Sequence, residues 1–490
     1  MQRETMTDRI TPYLQCLRNT FGALSPLLDK DPGAAMQSVI AAKLLDRMIV
    51  DYSAGLDYQR EYFAAALTSL PAVEQALGTK AGGVCAELKK LCTTADTDDF
   101  ERFRQLSGEV QRALIEVNTP QAAALGKEMF RHEAAYALKL EKAVDKQSAA
   151  AASATAGAPV VRNTRAIDEK AIIEFIKKNY PDETELGIAQ SGFVPGGFSK
   201  FTAFINLANA KNIPANIILR GDAAATFGGA SVVDEYRLIK TLYDNGACVP
   251  RPLAVDETGK VFGSPVMLVE KKPGGIIGHM FNLPKPNESV ARDVAAKLAA
   301  IHKVPLAALG NQVDSANIPT SQKMLAWLDE GLKAWRPLNQ PSPAFETAFD
   351  WLRKNVGLYD KAPRTLVHGD YGLNNILIHE DKVSTVLDWE FNHIGNPAYD
   401  LGYFYFMGCA LAPWDVFLDA YGKADMPVPS DEQMNYSILF AATRLGVMVV
   451  QTDHVFKTGA ETGLAQANNL GHGYYEETIK RLEFALGRVM

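Results

Sequence analysis

Three polar side chains that lie next to short apolar runs are the clearest candidates for chemistry in this sequence. Asp370 stands five residues before Asn375, and Asp388 comes after two strand-like runs at 376–378 and 383–387. Because a polar turn joins these runs, the pattern predicts a β-hairpin. Such a hairpin brings Asn375, at the foot of its first strand, beside Asp388, at the end of its second. The spacing therefore predicts that the three side chains serve one site.

The residue types in this set suit phosphoryl transfer. A metal ion that bridges phosphates is held by hard oxygen ligands, which the Asn375 amide and the Asp388 carboxylate provide. A further carboxylate must orient the attacking hydroxyl group and accept its proton, and Asp370 is placed to do so. We therefore expect Asp370 to be the catalytic base, and Asn375 and Asp388 to be metal ligands. Asp-x-x-x-x-Asn followed by Asp is also the order found in the loops of protein kinases.

Three motifs in this region carry a family resemblance. They are His368-Gly369-Asp370-(four residues)-Asn375, then Leu387-Asp388-Trp389-Glu390, then Gly395-Asn396-Pro397-Ala398-Tyr399-Asp400-Leu401. In this order and spacing the set resembles the aminoglycoside phosphotransferase and choline kinase superfamily. The resemblance, which covers about residues 167–480, implies a small-molecule kinase that uses ATP and Mg²⁺. It also implies that Asp400 is a structural brace of the catalytic loop.

Single members of these motifs have plainer interpretations. A lone His-Gly-Asp is common, and single Asp or Asn residues beside strands are usually turn or capping groups. Three coordinated motifs make that interpretation the weaker one. His368 is expected to be a structural hydrogen-bonding residue of the loop, and His379, in the hairpin turn, is expected to be solvated.

Glycine and cationic residues upstream are candidates for nucleotide binding. Gly196, Gly197 and Ser199 lie between strand-like runs, where glycine lets backbone N–H groups approach phosphate. Arg220 ends the next strand, where many relatives of the resembled family have lysine. Arginine keeps the charge and can bind two oxygens at once. Glu235, near the start of the following helix, is the expected partner of Arg220.

Two points on the nucleotide side depend on the resemblance. Asp234 is the alternative partner of Arg220, because an acid at a helix start can simply cap the helix. The family's E-x-x-x-L-x-x-L pattern favours Glu235. By the same resemblance the end of a later strand is the hinge whose backbone meets adenine, so Val269, Glu270 and Lys271 are the expected contacts.

The order of helix-like and strand-like segments along the chain, together with the resemblance, indicates the fold class. We expect an α+β chain with a protein-kinase-like bilobal fold, with a β-rich N-lobe and a helical C-lobe, preceded by an all-α helical bundle domain. The expected bounds are 1–147 for the bundle, 148–166 for an Ala/Ser-rich linker, 167–271 for the N-lobe and 272–490 for the C-lobe with the catalytic and substrate sites. Apolar residues at helical spacing predict the bundle, and small residues without large apolar side chains predict the linker.

Composition excludes several functional classes. A formal net charge of −7 over 490 residues is unlike the basic surface of a nucleic-acid binder,. The polar N-terminus and the absence of a long apolar run predict neither a signal peptide nor a membrane span. The five cysteines form no CxxC pair and are expected to be reduced thiols,. We therefore expect a cytoplasmic protein without nucleic-acid or membrane partners, and a homo-oligomer that forms through the helical bundle is one hypothesis.

The sequence does not identify the phosphate acceptor. Side chains after residue 401 are candidates by location only: Phe404, Tyr405, Phe406, Trp414, Tyr421, Arg444 and His454. The phrases VDEYRLIKTL, PVMLVEKKPGG and LVHGDYGLNNIL resemble kinase domains that are associated with acyl-CoA dehydrogenases. That resemblance makes a hydroxyl of a hydroxyacyl-CoA or related metabolite the working hypothesis. Alternatives are an aminoglycoside or other hydroxylated small molecule, and a nucleotide-binding pseudokinase that acts through its helical domain. A protein kinase is disfavoured because HRD, DFG and APE motifs are lacking.

Overall fold

The structure is a computed structural model in which the chain forms two compact units. The described residues are 14, 18, 41–42, 45–78, 82–94, 99–152, 168–194, 200–222, 230–260, 262–278, 280, 283–310, 318–338, 342–457 and 475–490. The helical unit consists of the described residues within 1–161, 324–356 and 439–490. The sheet-containing unit consists of the described residues within 162–323 and 357–438. These groupings cut across the domain bounds expected from the sequence, which stay predictions.

Helices and strands alternate in blocks along the described chain. The helices are α1 (Leu56–Leu77), α2 (Gly82–Thr94), α3 (Phe100–Val117), α4 (Pro120–Ala152), α5 (Glu169–Asn179), α6 (Val232–Asp244), α7 (Glu288–His302), α8 (Leu306–Leu309), α9 (Thr320–Trp335), α10 (Pro343–Lys354), α11 (Ala398–Leu411), α12 (Trp414–Lys423), α13 (Asp431–Lys457) and α14 (Tyr475–Val489). The strands are β1 (Gly187–Val194), β2 (Lys200–Ala208), β3 (Asn216–Asp222), β4 (Pro252–Asp256), β5 (Val266–Glu270), β6 (Thr365–Val367), β7 (Ile376–His379), β8 (Lys382–Val386) and β9 (His393–Gly395).

Apolar residues at helical spacing build the core of the helical unit. On α1, Phe63, Ala66, Leu70 and Val73 recur every three or four residues and are buried, so they form one stripe against α2, α3 and α4,. Pro120 begins α4, where its fixed φ suits the first turn and its missing N–H costs nothing,. The expected linker begins within this helix, because α4 continues to Ala152.

Later parts of the chain complete the helical unit. The carboxylate of Glu133 on α4 accepts hydrogen bonds from Ser342 Oγ at 2.6 Å and from Ala344 N at 3.1 Å, at the start of α10. Gln111 on α3 donates to Thr347 Oγ1 at 2.7 Å. Because these polar groups are buried, each pairing satisfies atoms whose desolvation is otherwise costly. The N-terminal helices therefore share their core with a segment more than 200 residues away.

An antiparallel sheet of five strands, in the order β1-β2-β3-β5-β4, forms one layer of the sheet-containing unit. Alternate residues of β2 and β3, including Ile205 and Ile217, are buried and pack with Ile172 and Phe175 of α5. Asp168 caps α5 by accepting a hydrogen bond from Ala171 N at 3.0 Å,. In the register of the sheet, Arg220 on β3 lies opposite Thr202 of β2 and Met267 of β5.

Two short strand pairs and several helices form the rest of the sheet-containing unit. β7 and β8 form one antiparallel pair, and β6 pairs with β9. Within the described part of the chain, no helix is both long enough and apolar enough to cross a membrane. Cys85, Cys92, Cys248 and Cys409 form no disulfide.

Candidate functional site

The hairpin of β7 and β8 places Asn375 next to the segment that carries Asp388. Ile376 pairs with Val386, and the backbone N–H of Leu387 donates to Asn375 O at 2.8 Å. The turn of the hairpin has positive φ at Glu380 and Asp381, which matches the twist of a two-residue hairpin connection,. The local sequence therefore folds as its spacing predicts, and it sets two oxygen-bearing side chains side by side.

Asn375 and Asp370 are bonded to each other. Asn375 Nδ2 donates to the backbone oxygen of Asp370 at 2.9 Å and to its Oδ2 at 2.8 Å. This orientation uses the amide nitrogen, and within the described residues Asn375 Oδ1 accepts no hydrogen bond. Asn375 is largely buried while Asp370 is half-buried. The pair therefore fixes the Asp370 carboxylate in one position and leaves an amide oxygen as a possible metal ligand.

His368 holds the ends of the catalytic loop together. Its Nε2 lies 2.9 Å from Leu387 O, and its Nδ1 accepts from Asp370 N at 3.2 Å. These contacts fit the tautomer that carries hydrogen on Nε2. The ring is fully buried and lies 4.5 Å from Trp389. His368 is therefore bonded on both ring nitrogens to the backbone around Asp370 and Asp388.

Asp400, at the start of α11, accepts hydrogen bonds from the backbone of the same loop. Its Oδ2 binds His368 N at 2.7 Å and its Oδ1 binds Gly369 N at 2.9 Å. A residue that the sequence interpretation missed, His302 of α7, lies 3.1 Å from Asp400 Oδ2 through Nε2 and 2.8 Å from Tyr421 Oη through Nδ1. No local motif marks His302, since it lies 98 residues before its partner.

The balance of forces on Asp400 favours its charged form. Complete burial opposes ionisation, but the hydrogen bond and charge of His302, followed by His368, outweigh burial and lower the pKa of Asp400 below its ordinary value,. A buried carboxylate with this many donors is a strong anchor for backbone N–H groups. The arrangement fits a brace that holds the loop from behind, rather than a group that meets a substrate.

Arg220 lies between two carboxylates. Its Nη2 donates to Asp388 Oδ1 at 2.5 Å, and its Nη1 lies 3.4 Å from Glu235 Oε1. Burial alone lowers the pKa of Arg220, but Glu235 and Asp388 outweigh that effect and raise it, so the guanidinium is permanently charged,. Asp388 has φ of 65°, a left-handed conformation that Asp tolerates better than most residues,.

Glu235 and Asp234 have different surroundings. Glu235 is fully buried, and its Oε1 accepts from Trp389 N at 3.2 Å as well as facing Arg220. Burial raises the pKa of Glu235 even though the charge of Arg220 acts in the opposite direction,. Asp234 is exposed and accepts from Ser231 Oγ at 2.8 Å, at the N-cap of α6. Of the two acids, Glu235 is the one that meets Arg220.

The Arg220–Glu235 pair is incompletely bonded. Arg220 Nε and Glu235 Oε2 are both buried, and neither has a hydrogen-bond partner among the residues that the structure describes. An orphaned buried charge-bearing atom costs free energy and calls for an explanation in the chemistry of the site. Arg220 contacts the metal-ligand candidate Asp388 directly, and Glu235 contacts Arg220.

Lys200 is a second buried cation that the sequence interpretation missed. It is the first residue of β2, and its side chain is 3% exposed. Its Nζ donates to Ala230 O at 2.7 Å, and it lies 3.1 Å from Asp222 Oδ1 and 3.6 Å from Glu390 Oε2. A lysine directly after a glycine-containing segment was the available signal, but a single lysine in a sequence is far more often a solvated one.

The expected hinge residues end β5. The backbone N–H of Glu270 donates to Arg251 O at 2.9 Å and that of Lys271 donates to Asn216 O at 3.0 Å, so both donors are used inside the sheet. Val269 is buried and pairs with Ile218. Within the described residues, the N–H of Lys272 takes no partner. The backbone N–H of Lys272 is therefore open to a ligand, whereas those of Glu270 and Lys271 are already used.

Several predicted residues do not enter the described site. Gly196, Gly197 and Ser199 lie outside the described residues. Of the acceptor candidates, Phe404 and Tyr421 are fully buried, so their surfaces are closed to a ligand. His379 is about half exposed, in the hairpin turn.

The donor set suits a hard cation better than a zinc-like metal. Among the described residues, no group of three or more His, Cys, Asp and Glu side chains could hold a metal ion. Asn375 and Asp388 together offer one amide and one carboxylate oxygen, and the Asp388 side chain is 31% exposed. Mg²⁺ is commonly held by one or two such protein oxygens, with phosphates and water as its other ligands. The residues present therefore fit Mg²⁺ bound with a nucleotide.

Comparison with solved structures identifies the fold. A candidate aminoglycoside phosphotransferase from Ralstonia eutropha JMP134 matches with a TM-score of 0.52 at 19% identity, over 66% of this chain and 99% of the other. The fold is therefore α+β and protein-kinase-like, with a sheet-rich lobe followed by a helical one and helices before both. The sequence prediction of the fold class is confirmed.

Comparison with family models and relatives assigns the domain. Residues 228–432 match the phosphotransferase enzyme family, APH, and this segment includes Asp370, Asn375 and Asp388. Mouse acyl-CoA dehydrogenase family member 10 is 30% identical over 262 residues, which is 50% of this chain and 22% of that protein. Family member 11 from Pongo abelii is 28% identical over 211 residues, 41% of this chain and 26% of that protein. The matches thus span about a quarter of these relatives' length. The resemblance to a phosphotransferase family that the motifs predicted is thus confirmed for residues 228–432.

Proposed function

We propose that this protein is a phosphotransferase that uses ATP and Mg²⁺ to phosphorylate a hydroxyl group of a small molecule. The observation that carries the proposal is the bonded arrangement of Asp370, Asn375 and the Asp388 segment. Asn375 Nδ2 donates to Asp370 Oδ2 at 2.8 Å, and the backbone oxygen of Asn375 accepts from Leu387 N, next to Asp388, at 2.8 Å. The hairpin and the loop before it thus supply a candidate proton acceptor and two candidate metal-ligand oxygens, the groups that phosphoryl transfer requires.

For each step of the proposed reaction, we assign a residue of this chain. Asp370 orients the acceptor hydroxyl and takes its proton while the oxygen bonds to the γ-phosphorus. The bond between the γ-phosphorus and the bridging oxygen breaks, and ADP leaves. Asn375 and Asp388 would hold Mg²⁺, which would supply charge neutralisation at the phosphates. Arg220 adds a permanent positive charge, and the open N–H of Lys272 is a donor for the adenine edge.

For the acceptor we propose a hydroxyacyl-CoA or a related metabolite. Support comes from the relatives, which are described as acyl-CoA dehydrogenase family members. A coupled assay of ADP release, with ATP, Mg²⁺ and a panel of 3- and 4-hydroxyacyl-CoAs, tests the acceptor. Turnover well above the rate with water supports it. Turnover with aminoglycosides alone would replace it by the alternative acceptor class.

The nucleotide part of the proposal has its own test. Titration of the full chain with a nonhydrolysable ATP analogue, with and without Mg²⁺, is expected to give binding that depends on the metal. If binding occurs but no acceptor in a broad panel is phosphorylated and the Asp370 variant behaves like the wild type, the protein is the pseudokinase of the alternative hypothesis.

Self-association through the helical unit is a further part of the proposal, as is the cytoplasmic location expected from the sequence. The N-terminal helices are bonded to α10 within this unit, so their removal would expose buried groups such as Ser342. The full chain is therefore the right sample. Sedimentation over a wide concentration range is expected to give a dimer or larger species, and a monomer throughout would rule self-association out.

A further inference from the structure

The start of helix α6 is held by contacts made by the buried cation of Lys200 and by its partner Asp222. Lys200 Nζ donates to Ala230 O at 2.7 Å, one residue before the Ser231 N-cap. Lys200 also lies 3.1 Å from Asp222 Oδ1, and the same carboxylate accepts from Val232 N at 3.2 Å. The first turn of α6 is thus tied to β2 and β3 on one side.

The same cation reaches the segment that follows Asp388. Lys200 Nζ lies 3.6 Å from Glu390 Oε2, and the backbone oxygen of Glu390 accepts from Ala230 N at 2.9 Å. Ala230 is therefore bonded through its oxygen to Lys200 and through its nitrogen to Glu390. A closed ring of contacts joins the beginning of β2, the beginning of α6 and the metal-ligand segment.

The ring controls the placement of Glu235, because Glu235 is the fourth residue of α6. Its Oε1 reaches both Arg220, at 3.4 Å, and Trp389 N, at 3.2 Å. Any shift of the first turn of α6 moves this carboxylate relative to Arg220 and to the backbone next to Asp388. Among the described residues, Glu235 and Asp388 are the side chains that pair with the Arg220 guanidinium.

From these contacts we infer that Lys200 is a positioning residue: its ammonium locks the start of α6 to the Asp388–Glu390 segment, so that Glu235 holds Arg220 in the place where it binds nucleotide phosphates. The inference rests on the proposed nucleotide-dependent function and names a residue that this function needs. Lys200 acts through Arg220, and its three acceptors occupy its ammonium group, so it does not itself bind the nucleotide.

A double-mutant cycle tests this assignment. Lys200→Met removes the ammonium and keeps an unbranched side chain, and Arg220→Met removes the group through which Lys200 acts. Calorimetric titration with Mg²⁺ and a nonhydrolysable ATP analogue is expected to show at least tenfold weaker binding for Lys200→Met in the wild-type background. In the Arg220→Met background the same substitution is expected to cost less than about threefold, because interacting residues are not additive. Equal costs in both backgrounds would overturn the assignment.

Two variants serve as matched controls. Lys200→Arg keeps a cation that can donate to the same oxygens and is expected to bind within about threefold of the wild type. Lys240→Met removes an exposed lysine from the same helix, where it pairs only with Asp244 at 2.8 Å, and is expected to have no effect. If Lys200→Met does not fold, Lys200→Gln, which is polar and uncharged, replaces it in the cycle.

Hydrogen exchange separates this inference from the proposed function. In the nucleotide-free protein, Lys200→Met is expected to speed exchange of the backbone amides at 230–236 by at least tenfold, while the Lys240→Met variant leaves them unchanged. Unchanged protection of the amides at 230–236 would disprove the positioning role, whatever the result of nucleotide binding. A wild-type protein that binds no nucleotide would disprove the proposed function, and the exchange measurement would still test the positioning role.

Discussion

Arg220 donates to Asp388 at 2.5 Å, so the cation expected at the nucleotide phosphates lies on the carboxylate expected to hold the metal. The second partner of Arg220, Glu235, is 3.4 Å away and leaves its Oε2 unbonded. A metal ion held by Asp388 would therefore compete with Arg220 for the same carboxylate in the absence of a nucleotide. Bound phosphates would give both cations additional oxygen ligands and would relieve this competition.

Arg220→Met is expected to raise the affinity of the nucleotide-free protein for Mn²⁺, a probe of the Mg²⁺ site, by about threefold to tenfold. The reason is the loss of a cation that lies 2.5 Å from the metal-ligand candidate,. Binding of the Mg²⁺–nucleotide complex is expected to weaken at least tenfold in the same variant. Mn²⁺ titration by electron paramagnetic resonance and calorimetry measure the two effects. Arg237→Met, at an exposed pair on α6, is the control, and unchanged or weaker Mn²⁺ binding in Arg220→Met would contradict the competition.

Asp388→Asn is expected to abolish the Mg²⁺ dependence of nucleotide binding, because a neutral amide is a much weaker magnesium ligand than a carboxylate. Thermal shifts by nucleotide, with and without Mg²⁺, measure this dependence. Asp425→Asn is a matched control, since Asp425 also has a left-handed backbone, with φ of 60° against 65° for Asp388. A Mg²⁺-dependent shift that survives in Asp388→Asn would show that the metal is held elsewhere.

Asp370→Asn is expected to lower the rate of phosphoryl transfer by about 10²–10⁴-fold, the usual contribution of a general base. Nucleotide affinity is expected to stay within about threefold of the wild type, because the amide oxygen of the variant still accepts from Asn375. ADP release with the best acceptor and calorimetric titration measure the two quantities. A fall of less than about tenfold, in this variant and in Asp370→Ala, would remove Asp370 from its assigned role.

Asp400→Asn is expected to destabilise the protein by about 3–5 kcal/mol, because an amide nitrogen would face donors that now bind a buried carboxylate,. Its pKa is lowered in the folded protein, so the unfolded chain takes up the proton first as the pH falls,. The stability that Asp400 contributes is therefore complete above about pH 4, the ordinary range for Asp, and is lost at lower pH as the folded pKa is passed.

Chemical denaturation from pH 7 down to pH 3 measures this effect. The wild type is expected to lose stability more steeply below pH 4 than Asp400→Asn does. Asp244→Asn, which removes an exposed carboxylate on α6, is expected to change stability by less than about 0.5 kcal/mol,. Parallel curves for the wild type and Asp400→Asn would mean that folding does not lower the pKa of Asp400.

Gly274→Ala is expected to cost about 1–3 kcal/mol, whereas Gly275→Ala is expected to be nearly neutral. Gly274 has φ of 109°, and a Cβ there would lie 2.6 Å from Ile378 O, while a Cβ at Gly275 meets nothing within 4 Å. The two glycines lie where the segment after β5 bonds to β7, through Gly275 N to Ile378 O at 3.0 Å. Urea unfolding of both variants measures the difference, and equal stabilities would refute the backbone constraint at Gly274.

Local patterns predicted the parts of this protein in which residues near in sequence meet. The hairpin that carries Asn375 beside the Asp388 segment follows from turn chemistry within a few residues. The Asp168 cap of α5 and the start of α4 at Pro120 have equally local causes. The choice of Glu235 over Asp234 needed a family pattern, since both acids stand at the start of one helix. Local chemistry alone gives each of them a role in capping.

The sequence by itself determined the chemical groups of the site and the class of fold, because their signals lie in spacing, residue type and hydrophobic periodicity. Only the tertiary structure decided which distant groups share one place: Arg220 with Asp388 across 168 residues, His302 with Asp400 across 98, and Lys200 with Glu390. These pairs form because burial makes a lone charge costly, so each buried cation must meet an anion. Burial is a property of the packed chain, so no short stretch of the sequence shows which anion a buried cation will meet.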